Sequence, residues 1–158
     1  MNINIICIGK LKEKYWQSAI QEYIKRLGPY CNIKIIELKE SRLPSNASLL
    51  DERKVVETEG DKILEKICEN DYTIALEIEG KMFSSLDFAQ KIEKVAFEKS
   101  TIDFIIGGSL GLSEKVGKRA DLCLSFGRIT FPHQLARVVL VEQIYRAFKI
   151  NNNEKYHK

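Results

Sequence analysis

The chain of 158 residues lacks the long apolar stretches and the leader pattern that mark membrane and secreted proteins. No window approaches the roughly 20 consecutive apolar residues that a membrane-spanning helix requires. The apolar run at the amino terminus covers only a few residues and has lysines after it, which is the reverse of a secretory signal. The sequence therefore predicts a cytoplasmic protein that does not enter a membrane.

Cysteine and histidine are also scarce. The four cysteines are scattered and never form CxxC, and the two histidines, His133 and His157, lie far apart. Because zinc sites need closely spaced Cys and His ligands, no metal site is expected. Cys7 and Cys123 fall in apolar runs and are predicted to be buried, reduced thiols.

Two common nucleotide motifs are missing, and the charge is modest. The sequence contains neither GxGxxG nor GxxxxGK[ST], which argues against a nicotinamide dehydrogenase and a P-loop site. A net charge of +3 permits a nucleic-acid partner without requiring one. Lys10, Lys12, Lys25 and Arg26 are the candidate RNA contacts, although a solvated helix face explains such clusters too.

Apolar residues make up 44% of the chain, so one domain over residues 1–158 can bury a core without disulfides. Strands are predicted over residues 2–8, 33–38, 73–78, 102–106 and 122–125, and helices over residues 15–27, 48–70, 85–97 and 135–150, with a short helix after Ser113. Ser48 or Asn46, Ser84 or Ser85, and Ser113 are the candidate helix caps. This alternation predicts an α/β fold with a mainly parallel sheet and helices on both faces.

Ligands of such sheets bind beyond the carboxyl ends of the strands. Three loops therefore compete for a site: residues 77–81, which include a predicted turn at 79–81, residues 107–112 and residues 126–132. In the second loop, Gly107 and Gly108 allow the backbone to turn sharply and to approach a ligand closely. A tight connection between a strand and a helix explains that turn equally well.

The last predicted helix is apolar around its whole circumference between Leu135 and Phe148. Such a helix must be covered on every side, and the sheet covers only one. A second subunit is predicted on the other face, which gives a homodimer. Glu142 and Arg146 are spaced as an i,i+4 pair, which is either a functional contact or an ordinary helix-surface pair.

Several segments together carry a specific resemblance. They are LEIEGK (76–81), FIIGGSLGL (104–112), LSFGRITFPHQLARVVLVEQIYRAF (124–148) and the terminal YHK (156–158). The chain resembles the SPOUT superfamily of methyltransferases over essentially its full length, and most closely the ribosomal RNA large subunit methyltransferase H family. The resemblance implies a deep trefoil knot over approximately residues 72–150, which periodicity alone would not suggest.

The resemblance further implies S-adenosylmethionine-dependent methylation of N3 of a pseudouridine in 23S rRNA, in the subunit-interface stem-loop of the assembled ribosome. The residues implied at the cofactor are Leu76, Gly108, Gly127, Arg128, Ile129, Thr130, Phe131 and Pro132. For Leu76 and Ile129, simple core packing is the alternative. A methyltransferase acting on tRNA, or a ribosome-binding factor without catalysis, are the alternative functions.

The reaction removes the N3 proton, and His157 is the candidate general base by residue type. The hypothesis is that Tyr156 and His157 reach across the dimer to the target base, while Lys158 and either Arg137 or Arg146 contact phosphate. A frayed tail without function is the alternative. His133 is expected to have a structural role, because the amino-terminal end of a helix disfavours a charged imidazole.

Overall fold

The computed structural model describes residues 1–157, and these residues form a five-stranded parallel sheet covered by five helices. The strands are β1 (Asn2–Ile8), β2 (Asn32–Leu38), β3 (Tyr72–Met82), β4 (Thr101–Ile106) and β5 (Leu122–Ser125). The helices are α1 (Lys14–Leu27), α2 (Leu49–Leu64), α3 (Ser85–Glu98), α4 (Glu114–Arg119) and α5 (His133–Asn151). The predicted α/β class is confirmed; the knot over residues 72–150 stays a prediction.

The strand order is β2-β1-β4-β3-β5, and every neighbouring pair is parallel. The two innermost apolar strands pair in register, with Ile5 of β1 opposite Phe104 of β4. Both residues are fully buried, as expected for strands covered on two faces. The order brings the carboxyl ends of β1, β4 and β3 side by side in the middle of the sheet.

Helices cover both faces of the sheet. On one face α1, α3 and α5 bury a cluster that includes Ile20, Ile92 and Ile144. On the other face α2 and α4 bury a smaller cluster through Ile63 and Val116. Each cluster removes aliphatic side chains from water, which supplies most of the favourable free energy of folding.

The packing of α5 corrects part of the argument for a dimer. This helix contacts both α1 and α3 as well as the sheet, so its flanks are covered within the same chain. Leu140 and Ile144 are fully buried, while Leu135, Val138 and Val139 stay half-buried. The apolar circumference therefore needs no second subunit over most of its extent, and half-buried residues such as Leu135, Val138 and Val139 are what is left for one.

Two of the three predicted caps are confirmed. The Ser48 hydroxyl accepts a hydrogen bond from Asp51 N–H at the start of α2, and Ser84 caps α3 in the same way. Ser113 does not cap α4. Its hydroxyl is instead packed against Gly60 of α2, where an added Cβ would lie 2.1 Å from Ser113 Oγ. Helix α2 also ends at Leu64, earlier than predicted.

The turn predicted at residues 79–81 is wrong, because β3 continues to Met82. Leu76 and Lys81 both pair with Leu124 of β5, so residues 77–80 form a wide bulge in the strand. Gly80 makes this possible, because an added Cβ would lie 2.8 Å from the backbone of Cys123. The bulge re-aims the chain at the carboxyl edge of the sheet, which is a common use of bulges.

The two cysteines predicted to be buried differ in burial. Cys7 is fully buried, and burial raises the pKa of its thiol to about 11. Cys123 is only half-buried at the edge of the sheet. Both are free thiols.

Candidate cofactor site

A cavity of about 580 Å³ lies at the carboxyl edge of the sheet. Its walls come from the bulge of β3, the glycine turn after β4, the loop after β5 and the first turn of α5. The three loops that the sequence nominates therefore meet around one space. This volume falls within the range of roughly 300–1,000 Å³ that is typical of small-molecule sites.

All residues expected at the cofactor except Arg128 line this cavity: Leu76, Gly108, Gly127, Ile129, Thr130, Phe131 and Pro132. Arg128 is exposed and lies outside the lining. Ile129 is 75% exposed, so core packing does not explain it. Leu76 is half-buried and has the cavity on one side and the core on the other.

The glycine turn is shaped by close backbone contacts. Gly111 has a φ of +84° and donates its N–H to the Gly108 carbonyl at 3.2 Å. An added Cβ on Gly107 would lie 2.8 Å from the Gly111 carbonyl oxygen, so glycine is required there. The turn therefore forms a wall of the cavity in addition to connecting β4 to α4.

The cavity wall is apolar with little charge. Within residues 1–157 the lining contains one acid, Glu77, and no lysine or arginine. His133 also lines it, and burial, followed by the nearby Arg137 guanidinium, lowers the pKa of its imidazole, which favours the uncharged form. A phosphate would find no cationic side chain here, whereas an uncharged or cationic ligand meets no repulsion.

The sequence did not single out several lining residues, among them Glu77 and Ser109. Glu77 belongs to the segment 77–81 that was predicted as one of three candidate binding loops, so the tendency of ligands to bind beyond the carboxyl ends of the strands could have identified it. Ser109 directly follows Gly108 in the turn, and Ala136 lies one helical turn beyond Pro132. The available signal was that these residues lie next to, or within one helical turn of, residues that were predicted to bind the cofactor.

Arg137 does not face solvent, which corrects its expected role as a phosphate contact. Its side chain is fully buried. It donates to the Ile8 and Gly9 carbonyl oxygens at 2.7 and 2.9 Å and pairs with Glu37 at 3.1 Å. Arg137 thus fastens the start of α5 to the ends of β1 and β2, next to the cavity.

The carboxyl-terminal residues are docked on α5. The Tyr156 hydroxyl donates to Glu142 Oε1 at 3.1 Å, and the Arg146 guanidinium lies over the Tyr156 ring, 4.7 Å from its centre. Arg146 also pairs with Glu142 and places Nη1 3.4 Å from Nδ1 of the exposed His157. These contacts do not fit a frayed tail. Lys158, the other predicted phosphate contact, lies outside the described residues.

Burial raises the pKa of Tyr156, as do its hydrogen bonds with Tyr23 and Glu142. The phenol is therefore protonated at neutral pH and acts as a hydrogen-bond donor. Ala136 in the cavity wall and Arg146 beside the tail are separated by about 15 Å along the axis of α5. The docked tail and the cavity of the same chain are thus apart.

A parallel sheet covered on both faces, with a cavity built from loops at its carboxyl edge, is the architecture typical of α/β proteins that bind small molecules. The family model described as "Predicted SPOUT methyltransferase" matches residues 1–157, and the chain belongs to this family. Full-length relatives in Clostridium novyi and Clostridium acetobutylicum are 55% and 52% identical and are named "Ribosomal RNA large subunit methyltransferase H". A relative in Streptococcus thermophilus with the same name is 53% identical, and all three alignments cover 100% of both chains.

The fold also resembles a solved structure, a probable methylase family protein from Haemophilus influenzae Rd KW20. The TM-score is 0.56 at 14% identity, and the alignment covers 99% of this chain and 70% of that one. In the described part of the chain, no helix is long and apolar enough to cross a membrane. Residues 1–157 also contain no group of three or more His, Cys, Asp or Glu side chains placed to hold a metal ion.

Proposed function

We propose that this protein methylates N3 of a pseudouridine in 23S rRNA within the assembled ribosome, using S-adenosylmethionine, as a cytoplasmic homodimer. The full-length relatives support large-subunit rRNA as the substrate through their names. The pseudouridine and its N3 come from the resemblance of the motifs, above all the terminal Tyr-His-Lys. The observation that carries the cofactor assignment is the cavity itself.

The cavity suits S-adenosylmethionine better than it suits a nucleotide. Adenine is flat and largely apolar, and an apolar wall with exposed loop backbone can hold its faces and its hydrogen-bonding edges. The sulfonium is cationic, and the wall offers Glu77 and no lysine or arginine within the described residues. Leu76, Gly108 and residues 127–132 except Arg128 would hold the cofactor, which supplies an electrophilic methyl group when bound.

The chemistry left to the protein is alignment, exclusion of water and removal of one proton. His157 is the proposed acceptor of the pseudouridine N3 proton, by residue type and because its imidazole is exposed. Tyr156, held protonated, would orient Arg146 and His157 through Glu142. Arg146 is the proposed phosphate contact, and Lys158 remains part of that hypothesis.

A dimer reconciles the positions of the tail and the cofactor site. Because about 15 Å of α5 separates them in one chain, the tail of one protomer would complete the site of its partner. The half-buried strip of Leu135, Val138 and Val139 on α5 is the proposed contact between protomers.

The proposed rRNA contacts are the exposed lysines of the amino-terminal half. Lys10, Lys12 and Lys25 are exposed and join no ion pair among residues 1–157. Arg26 is paired with Glu22 at 2.7 Å, so it contributes less. Replacing the three lysines by glutamine should weaken ribosome binding and reduce its salt dependence. Unchanged binding would remove them from the interface.

Calorimetry and a choice of substrates test the proposal against its alternatives. Titration with S-adenosylmethionine should give one site per chain, and the absence of binding would favour a ribosome-binding factor without catalysis. Tritiated methyl should then enter large subunits or ribosomes from a strain that lacks the enzyme. Methylation of tRNA in preference to ribosomes would overturn the substrate assignment.

A further inference from the structure

Glu59 of α2 is a buried carboxylate that the proposed chemistry does not use. It is 3% exposed, and none of the ion pairs within residues 1–157 involves it. Burying an acid without a cationic partner costs free energy. It also lies outside the residues that line the cavity. Its contacts with neighbouring backbone therefore call for an explanation.

The two carboxylate oxygens of Glu59 meet two different loops. Oε1 accepts a hydrogen bond from Ser41 N–H at 2.8 Å, just beyond β2. Oε2 lies 3.0 Å from the position that a Cβ would occupy on Gly108, just beyond β4. Ile8, at the end of β1, fills the rest of that position, with Cγ2 at 3.1 Å. One side chain thus supports the floor of the glycine turn and ties it to the segment after β2.

The residues on either side of Glu59 hold the far end of the same turn. An added Cβ on Gly60 would lie 2.1 Å from Ser113 Oγ, so the backbone of α2 runs directly against Ser113. Lys115 pairs with Asp61 at 2.5 Å and with Glu57 at 2.9 Å. Helix α2 therefore holds the chain before and after residues 109–112.

We propose that Glu59 is a positioning residue for the cofactor-binding turn: it fixes Gly108 against Ile8 and couples the turn to the segment at Ser41. The identity of the ligand rests on the proposed function, whereas the order of the turn is a property of the unliganded chain. Glu59 acts through Gly108 and is not itself a catalytic residue.

Glu59→Gln is the informative variant, because it keeps the shape of the side chain and replaces one acceptor by a donor. If the amide oxygen faces Ser41, the NH₂ group faces Gly108; in the other orientation, two donors face each other at Ser41. The first arrangement puts N–H groups where Oε2 packs against Gly108, and the second breaks the hydrogen bond from Ser41 N–H, so either one disturbs one of the two contacts. Hydrogen exchange of residues 107–113 in the unliganded variant should be about tenfold faster, while exchange in β1 and β4 stays unchanged.

Measurements of cofactor affinity and of steady-state kinetics show whether Glu59 positions the turn or only stabilises the fold in general. The KM and the calorimetric Kd for S-adenosylmethionine should rise about tenfold, while kcat at saturating cofactor stays within twofold. A merely structural role would instead lower the Tm and accelerate exchange throughout the sheet. Exchange and Kd in Glu59→Gln within twofold of wild type, with a folded protein, would overturn the proposal.

Two variants on the same helix serve as matched controls. Glu57→Gln removes one exposed pair of Lys115 and leaves its pair with Asp61, so exchange of the turn and cofactor affinity should stay unchanged. Lys62→Met removes contacts with the Lys39 carbonyl and Ser41 Oγ but leaves Glu59 in place, so it should accelerate exchange at residues 39–41 and that of residues 107–113 less than Glu59→Gln does. If the wild type fails to bind S-adenosylmethionine, the proposed function fails, and the exchange measurement still decides the role of Glu59.

Discussion

Complementation between two inactive variants tests whether the tail of one protomer serves the site of the other. Gly108→Val places new atoms against Glu59 Oε2 and Ile8 Cγ2, which already lie 3.0 and 3.1 Å from the Cβ position. Overpacking of this kind costs about 1–3 kcal/mol, and the turn must shift to relieve it, which disables the cofactor site. Deletion of residues 156–158 removes the tail and leaves the cavity intact.

The two variants are co-expressed with different tags, and the heterodimer is isolated by both tags in succession. A tail acting in trans leaves one complete site per heterodimer, so turnover should be about half that of the wild-type dimer. Each homodimer should be inactive, with a Tm that shows it is folded. The reasoning is refuted if the heterodimer is no more active than the two homodimers, because the tail then acts within its own chain.

Three further predictions follow from the buried and charged groups. Arg137→Met should lower the free energy of unfolding by at least about 1–3 kcal/mol in urea titrations, because it leaves the Ile8 and Gly9 carbonyl oxygens without their donor. Arg137→Lys should not restore it, since an ammonium lacks the guanidinium fork. Glu77→Gln should weaken S-adenosylmethionine about three- to tenfold more than neutral S-adenosylhomocysteine in calorimetry, and equal losses would contradict a charge effect. Burial raises the pKa of Asp103 from 3.8 to about 6. The free energy of unfolding should therefore fall as the pH rises from 3.8 to 6, and the full loss should persist at higher pH. Asp103→Asn should raise the urea midpoint at pH 7.5 but not at pH 3.5.

The sequence predicted the fold well where patterns are local. β1 and β5 have the predicted bounds, and the capping signals at Ser48 and Ser84 are confirmed because they act within one helical turn. The error at residues 79–81 has a non-local cause: Glu79-Gly80 is a turn signal, but pairing with β5 overrides it. Ser113 failed as a cap for a similar reason, since Gly60 takes its side chain into the interior.

The loops that line the cavity were predictable from the sequence, whereas the buried residues that hold these loops in place were not. The expectation that ligands bind beyond the carboxyl ends of the strands, together with the motifs, correctly predicted the three loops that line the cavity. Arg137 was assigned to phosphate because an arginine on a helix is usually exposed, and nothing local shows that the ends of β1 and β2 lie beneath it. Glu59 was not singled out at all, because its partners Ser41 and Gly108 are distant in sequence and meet it only through the strand order.

The most direct test of the account is to map the methyl group on 23S rRNA. Ribosomes from a strain that lacks the enzyme are incubated with the purified protein and labelled S-adenosylmethionine, and the modified base is identified by mass spectrometry of rRNA fragments. The account predicts one methyl per ribosome, on N3 of a pseudouridine in the subunit-interface stem-loop. Methyl at another base, or none in the presence of bound cofactor, would contradict it.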